Sequence, residues 1–439
     1  MSENRIFIFE FVSGGGFNQV EIPSSLFCEG YSMLRTIIAD FKAMDFEITT
    51  LLDERINFLI PYLEADSLQC IKNDDNYITI FKKVLRDCDY AFIIAPEFTD
   101  ILYDLTKIVQ EEKKKLLSIC LKGIELGSSK IKTYDFFRKI NIKTPKTYQI
   151  PLKNGLDVDF ITQKLKEFKS PIVIKPFDGV GAESIYHFEK KNQIYNFFND
   201  SKANNIDLNR KFIVQEYIKG EDLSVSLVGI PFKTKQAYIP PKILSINYQD
   251  INIKNSRGDS EYFGGSTPIE NYTHMIKNII KVLETLDLSM FNSFFGIDFI
   301  KNQNSLAFIE INPRLTTSYI GIRNILKINP VELLFNNYSN SMDYMNYEFQ
   351  HHSIFKRSEL EYMGDKTINE IIDQIVPKLL IDIPEFITPP ISFKKSNKSN
   401  KIHFSSFIAT KEKDSNSSRK RLAKINDILK KKFEFRVIK

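Results

Sequence analysis

The stretch from Phe294 to Arg314 constrains this chain more than any other. It reads Phe-Phe-Gly-Ile-Asp-Phe-Ile-Lys, a polar connection, then Leu-Ala-Phe-Ile-Glu-Ile-Asn-Pro-Arg. Two apolar runs parted by turn residues predict a β-hairpin. Side chains alternate faces along a strand, so Glu310 and Asn312 point the same way. A tight turn over Lys301 to Ser305 sets Asp298 roughly opposite Phe308, and so on that face too. Strands this apolar have little reason to bury two carboxylates unless a cation compensates them. Asp298, Glu310 and Asn312 therefore read as oxygen ligands for a hard divalent ion such as magnesium, which usually takes part of its shell from a nucleotide. The plainer explanation is a buried strand that simply ends in polar residues.

The 439 residues exceed the ~250 to 300 that one hydrophobic core organises, so two or three domains are expected. A hydrophobic share of 43% and a charged share of 26% are those of an ordinary globular protein. Cys28, Cys70, Cys88 and Cys120 show no pair spacing, which argues against a zinc knuckle or disulfide framework and for a reducing compartment. The start has no basic region leading into a long apolar stretch, and no run approaches the ~18 apolar residues of a membrane span. The expected location is the cytoplasm, without membrane contact.

The net charge of +5 is uneven: residues 391 to 439 carry 15 Lys/Arg against 4 Asp/Glu, or +11, which leaves −6 for the rest. Such a tail could bind nucleic acid or another polyanion. Leu422, Ile425, Ile428 and Leu429 also fall at helical spacing behind a Ser417 or Ser418 cap, so the lysines equally suit the wet face of a docked helix.

Along the chain, residues 5 to 12 predict a strand that ends in Ser13-Gly14-Gly15-Gly16, and Ser24 to Lys42 a helix. Strands at Phe46 to Leu51, Tyr90 to Ala95 and Lys115 to Cys120 alternate with helices at Tyr77 to Arg86 and Thr99 to Glu112, the order of a parallel α/β sheet. A helix over Ser129 to Ile140 ends before Pro145. Strands at Pro171 to Lys175, Glu183 to Phe188, Lys211 to Tyr217, Leu223 to Gly229 and Gln236 to Asn247 suggest α+β structure. Gln249 to Pro268 reads as loop, Tyr272 to Leu286 and 317 to 338 as helical, and His403 to Thr410 as a strand. Between 345 and 400, Pro377, Pro384, Pro389 and Pro390 interrupt any period, and the Lys/Ser/Asn stretch at 394 to 401 suggests a flexible connection. Domains are expected at 1–125, 126–345 and 346–439. His187, His274, His351, His352 and His403 show no metal spacing.

Upstream of the hairpin, Ile172-Val173-Ile174-Lys175 is an apolar strand ending in a lysine, followed by a turn holding Gly179 and Gly181. A lysine there aims a charge at a phosphate, and glycines let backbone amides approach its oxygens. Gly-rich turns between strands are common, and no Gly-x-x-x-x-Gly-Lys-Ser/Thr motif is present, so a P-loop is not indicated. The strand Phe212 to Glu216 runs into Tyr217-Ile218, whose backbone could pair with an adenine edge, and Glu221 beyond it could accept from ribose hydroxyls.

The order Lys130, Lys175 with its glycine turn, Glu216 to Glu221, Asp298, then Glu310-x-Asn312-Pro313-Arg314 resembles the ATP-grasp superfamily of ligases over about residues 126 to 335. Within it, Phe9 to Gly16 and Glu310 to Tyr319 resemble the archaeal tyramine/L-glutamate ligase group of methanofuran biosynthesis. The resemblance implies an ATP-grasp fold, α/β plus α+β, with an N-terminal Rossmann-like pre-ATP-grasp domain and a C-terminal extension. It implies that Lys130 (or Lys132) and Lys175 contact ATP phosphates, that Gly179 and Gly181 cover them, that Glu216, Tyr217 and Ile218 hold adenine and Glu221 ribose. Asp298, Glu310 and Asn312 would hold magnesium, with manganese as a substitute.

The implied chemistry is ADP-forming: a carboxylate attacks the γ-phosphate, and an amine then displaces phosphate from the acyl phosphate. Lys175 would stabilise the transferring phosphoryl group, and Arg314 would steady the acyl phosphate or the carboxylate. Small-molecule carboxylate and amine partners are expected, L-glutamate and tyramine among them, and homo-oligomer formation stays open. Ser13, Gly14, Gly15 and Gly16 lie where a strand meets a helix, the usual crevice of an open α/β sheet. They would line the acceptor side, or else form only a tight turn. Three other readings compete: a peptide- or protein-modifying ligase that uses the basic tail, a nucleic-acid-binding module, and a kinase. The kinase reading lacks a His-Arg-Asp loop and a glycine after Asp298-Phe299.

Overall fold

The computed structural model describes residues 4–153, 155–179, 181, 184–199, 206–229, 241–253, 260–270, 273–303, 305–335, 349–393 and 402–439. Strand β1 (Arg5–Glu10) is buried along its length after the first residue, as expected of a strand covered on both faces. It centres a five-stranded parallel sheet of order β3-β2-β1-β4-β5, with β2 at Glu47–Asp53, β3 at Ser67–Ile71, β4 at Tyr90–Ile94 and β5 at Lys115–Leu116. Helices α1 (Ser24–Lys42), α2 (Tyr77–Arg86) and α3 (Ile101–Glu111) connect these strands. The expected strand over Lys115 to Cys120 stops after two residues, and β3 escapes the sequence reading because Ser67 and Gln69 break its apolar run.

Past helices α4 (Leu121–Gly127) and α5 (Lys130–Lys139), a small antiparallel sheet of order β6-β9-β7-β8 forms from β6 (Thr147–Gln149), β7 (Ile172–Pro176), β8 (Tyr186–Phe188) and β9 (Phe212–Glu216). It has its own core, built on Ile172, Ile174, Phe188 and Val214.

The remaining strands make one large antiparallel sheet: β10 (Glu221–Val228), β11 (Lys242–Asn252), β12 (Glu261–Thr267), β13 (Phe294–Lys301), β14 (Leu306–Asn312), β15 (Ser353–Tyr362), β16 (Phe386–Ile391), β17 (Ile402–Ala409) and β18 (Phe435–Val437). Its order is β14-β13-β10-β11-β12-β15-β17-β16, with β18 also on β15. The region from Gln249 to Pro268, expected to be loop, thus carries the end of β11 and all of β12. The proline-rich region after residue 345 supplies strands: Pro389 and Pro390 sit in β16, which has a single strand neighbour, where a missing amide is tolerated. The expected flexible stretch at 394 to 401 lies outside the described residues, as do residues 236 to 240 of the expected strand Gln236 to Asn247.

The basic helix spans Ser415–Lys432, and its cap is Asp414, which accepts from the Ser417 amide, rather than Ser417 or Ser418. Ile425 and Leu429 are buried in a satellite core with Leu360, Leu379 and Phe404, and Arg421 pairs with Glu385. Among the described residues, no helix is long and apolar enough to cross a membrane.

Helix α1 is gripped from both sides. Asp40 accepts from Arg323 at 2.7 Å and from Tyr319 Oη at 2.7 Å. Ser32 Oγ lies 2.7 Å from Thr388 Oγ1, and Arg35 donates to the carbonyls of Phe386 and Ile387 at 3.1 and 2.8 Å. The parallel sheet and the large sheet share one core, including Phe92 against Phe294.

Candidate active site

The large sheet, the small sheet and α1 enclose one cleft. Lys130, Lys175, Gly179, Gly181, Glu216, Tyr217, Ile218, Asp298, Glu310, Asn312 and Arg314 all line it. In the hairpin, Asp298 pairs in register with Glu310, Gly296 with Asn312, and Phe299 with Phe308. The expectation that Asp298 faces Phe308 is therefore corrected. A register shift between Asp298 and Phe299 leaves Ile309 unpaired, and a bulge of this kind re-aims side chains. Phe308 packs against Phe137 and Phe299, while Glu310 is free to stand beside Asp298.

The charges here form one group. Lys175 Nζ is 3.3 Å and Lys130 Nζ 3.5 Å from Glu310 Oε2. Lys130 also donates to the Gly179 carbonyl at 2.8 Å, tying the start of α5 to the glycine turn. Exposed Lys132 does not line the cleft. Asp298 accepts from Asn312 Nδ2 at 3.0 Å and from Gln249 Nε2 at 3.1 Å. Burial drives the Glu310 carboxyl up, but the two ammonium groups outweigh it and hold it well below the usual range. Burial, then the Glu310 charge, pushes Asp298 the other way. Burial also lowers Lys175, against the pull of Glu310. Two adjacent, partly buried carboxylates, one of which resists ionising, fit a divalent cation whose charge would let both ionise. Among the described residues no cluster holds three or more His, Cys, Asp or Glu. The set is thus two carboxylates and an amide, which leaves coordination for a bound nucleotide.

Apolar side chains line the same cleft, Val173, Ile185, Tyr217, Phe299, Ile300 and Ile309 among them, and give it an apolar slot. The Tyr217 ring packs edge-on to His187 at 4.5 Å. The amides of Glu216 and Tyr217 are already given to the carbonyls of Lys146 and Pro171, both at 2.9 Å. Glu221 does not line the cleft: it turns outward and pairs with Lys301 at 2.8 Å. Its neighbour Asp222 does line it, on the same face as Ser224 and opposite in alternation to Glu221. Burial lifts the Asp222 carboxyl to about 6. Extending the two-residue period of β10 one step back from Ser224 would have found it.

Arg314 is anchored by Glu97, which accepts from its Nε at 3.0 and 3.1 Å, and by the Leu315 carbonyl. Ser13 to Gly16 do not line the cleft. The Glu10 carboxylate folds back to accept from the Val12 and Ser13 amides and the Ser13 hydroxyl. Gly15 sits at φ +93°, with Ile71 against the place a Cβ would take. The glycines serve this turn. Sequence reasoning also missed Glu29, Gln249, Tyr262 and Thr316 to Ser318, which line the cleft from segments far apart in the chain.

A model of the ATP-grasp domain matches residues 127–318, and one of the pre-ATP-grasp domain matches residues 46–120. The chain is 30% identical over 344 residues to the tyramine–L-glutamate ligase of Methanocaldococcus jannaschii, covering 76% of this chain and 89% of that one. An ATP-grasp superfamily protein of Archaeoglobus fulgidus superimposes with a TM-score of 0.56 at 23% identity, over 83% of this chain and 95% of that one. The biotin carboxylase of Campylobacter jejuni reaches a TM-score of 0.65 at 12% identity over 99% of this chain and 92% of that one, so the strands after residue 350 have counterparts in a known fold. The domain matches and the 30% identity place this chain in the ATP-grasp superfamily of ligases.

Proposed function

We propose that this ATP-grasp ligase joins a small-molecule carboxylate to an amine through an acyl phosphate, releasing ADP, with L-glutamate and tyramine or a related amine as substrates. The observation that carries this reading is the meeting of Lys130, Lys175, Asp298, Glu310, Asn312 and Arg314 in one cleft. The 30% identity to a tyramine–L-glutamate ligase supports the choice of substrates.

Adenine occupies the apolar slot, and the Ile218 amide, which unlike those of Glu216 and Tyr217 makes no hydrogen bond among the described residues, donates to its edge. Asp222, rather than Glu221, accepts from the ribose. Lys130 and Lys175 neutralise the phosphates, and the turn at Gly179 and Gly181 covers them. Asp298, Glu310 and Asn312 would hold magnesium or manganese, which when bound would supply positive charge to offset that of the phosphates. The substrate carboxylate attacks the γ-phosphorus, and the bond to the β-phosphate oxygen breaks. Fixed cations in a water-poor cleft stabilise that charge more as it spreads over the transferring oxygens than before. Arg314, held rigid by Glu97, steadies the acyl phosphate.

The test is ADP release by the purified protein with ATP, magnesium and L-glutamate, with and without tyramine. An Asp298→Ala/Glu310→Ala double variant serves as control. ADP that appears only with both substrates, and is lost in the control, is expected. ADP release indifferent to either substrate would sink the assignment.

A further inference from the structure

An amine reaches a ligase as an ammonium and must lose a proton before it can attack; none of the residues assigned so far takes it. Beyond Arg314 the cleft is lined by Glu29 of α1, whose side chain is 15% exposed. Its carboxylate accepts no hydrogen bond from the described residues. Its ion-pair partner is Arg357 of β15, with Nη1 4.0 Å from Oε1, too far for a hydrogen bond.

Arg357 is itself unusual. It is 7% exposed, and its guanidinium lies 5.4 Å from the centre of the Phe263 ring. Its Nε is buried, 3.4 Å from Glu359 Oε1, and makes no hydrogen bond among the described residues. A buried guanidinium with an unsatisfied donor beside an unbonded carboxylate is costly as it stands. Such a pair is expected where a site is built ahead of its ligand. Their neighbours are tethered: Thr388 Oγ1 donates to the Cys28 carbonyl at 2.9 Å, and Ser405 Oγ donates to Glu359 at 2.7 Å.

We propose that Glu29 is the amine-side residue of the reaction: its carboxylate binds the incoming ammonium and takes its proton, while Arg357 holds that carboxylate toward the cleft. The proposal rests on the ligase reading above. One proton passes from the ammonium to Glu29. The freed lone pair forms the C–N bond as the acyl C–O bond breaks, phosphate leaves with the electron pair, and the second N–H proton goes to the departing phosphate.

Among the described residues, the charged and titratable groups within electrostatic reach of Glu29 are Cys28 on its own helix, Arg314 after β14, Tyr262 on β12 and Arg357 on β15, with Glu359 of β15 acting on Cys28. Burial lifts the Glu29 carboxyl to about 7 against the pull of Arg357 and Arg314, a range that suits a group taking a proton near neutral pH. Arg357 also gives the region after residue 345 a part in the site.

The experiment compares two acceptors on the full chain with ATP, magnesium and L-glutamate. Tyramine arrives as an ammonium; hydroxylamine is neutral near pH 7.5 and needs no base. Glu29→Gln should lower tyramine turnover on the order of 10² to 10⁴-fold while hydroxamate formation stays within about threefold. An unchanged thermal shift on adding magnesium–ATP shows the variant folded. In Arg357→Met, Glu29 loses the cation that holds its carboxyl down. The acidic limb of kcat/KM for tyramine should then move to higher pH, which a merely structural role would not produce. Equal losses with both acceptors in Glu29→Gln, or an unmoved limb in Arg357→Met, would overturn the proposal. Hydroxamate formed by the unaltered protein reports the ligase reading by itself, so the two failures are distinguishable.

Discussion

The two ends of the cleft are built in opposite ways. At the proposed nucleotide end, Asp298, Glu310 and Asn312 come from one hairpin, and the two lysines that meet Glu310 belong to α5 and β7. At the other, Glu29, Tyr262 and Arg314 line the cleft from α1, β12 and the turn after β14, and Arg357 of β15 stands beside Glu29. The first end is nearly balanced in charge and bonded within itself. Among the described residues, the second keeps a carboxylate without a hydrogen bond and a guanidinium whose Nε has no partner. A reaction shared by a whole superfamily can be housed in one local motif, whereas recognition of a particular acceptor is free to draw on whatever the surrounding domains bring near.

The sharpest way to break this comparison is Glu310→Gln. Two lysines would lose their anion in a buried place, a change that typically costs about 3 to 5 kcal/mol. ADP release should fall on the order of 10³-fold with the loss of electrostatic stabilisation. A drop below about tenfold would show that the hairpin is not the reacting end. Asp298→Asn should behave differently, because Asp298 already resists ionising in the absence of a cation. The variant should melt near the temperature of the parent without ligand, yet show a much smaller thermal shift with magnesium–ATP and about 10²-fold slower ADP release. An unchanged shift with magnesium–ATP would remove Asp298 from the cation site.

This local character also decides what the sequence could reveal. Asp298, Glu310 and Asn312 were legible because alternation along a strand needs no knowledge of the rest of the chain. The same reasoning misplaced the partner of Asp298 only by the bulge at Ile309, which polar patterning does not announce. Helices α1 and α2 were legible from period alone. Strand β12 was not, because Gly264 and Gly265 interrupt its pattern; a Cβ at either would lie 2.0 to 2.1 Å from a carbonyl of Phe355 or Tyr248. The large sheet needs those glycines for close approach, a reason visible only once β11, β12 and β15 lie side by side. The strands after residue 350 were hidden likewise, since prolines read as breakers unless the strand is known to lie at an edge. Glu29 and Arg357 carried no local signal at all.

A gentler test concerns the pair Glu221 and Asp222, adjacent in sequence and opposite in facing. Asp222→Ala should raise the KM for ATP about tenfold, the loss of about one charge-assisted hydrogen bond. Glu221→Ala should leave it within about twofold, because the ion pair with Lys301 is at the surface. Equal effects would return ribose recognition to Glu221. The carboxyl of Asp222 is raised by burial from its ordinary value to about 6, so the folded state holds this proton more tightly than the unfolded chain. Its contribution to stability is full below about pH 4 and is lost as pH rises through about 6. The melting temperature of Asp222→Asn relative to the parent should therefore climb between about pH 4 and pH 6 and then level. A flat difference would mean that this carboxylate is better solvated than its burial implies.

The smallest effect is expected where the small sheet meets the parallel-sheet domain. Asp178, next to Gly179, accepts from the Thr99 amide at 3.1 Å and from Arg210 at 3.1 Å, and the Arg210 guanidinium lies 5.8 Å from the centre of the Phe98 ring. Thr99 and Asp100 both hold positive φ angles, of 51° and 59°, a conformation costing about 1 to 3 kcal/mol per residue unless surrounding contacts enforce it. The strained turn presents an amide to the residue beside Gly179, in the turn proposed above to cover the phosphates. Asp178→Ala should release that loop from the domain without touching the nucleotide-facing groups. KM for ATP should rise about three- to fivefold, roughly 1 kcal/mol for one hydrogen bond, with kcat nearly unchanged. A fall in kcat instead would mean that the contact sets the geometry of the reacting groups and not merely the closing of the loop over them.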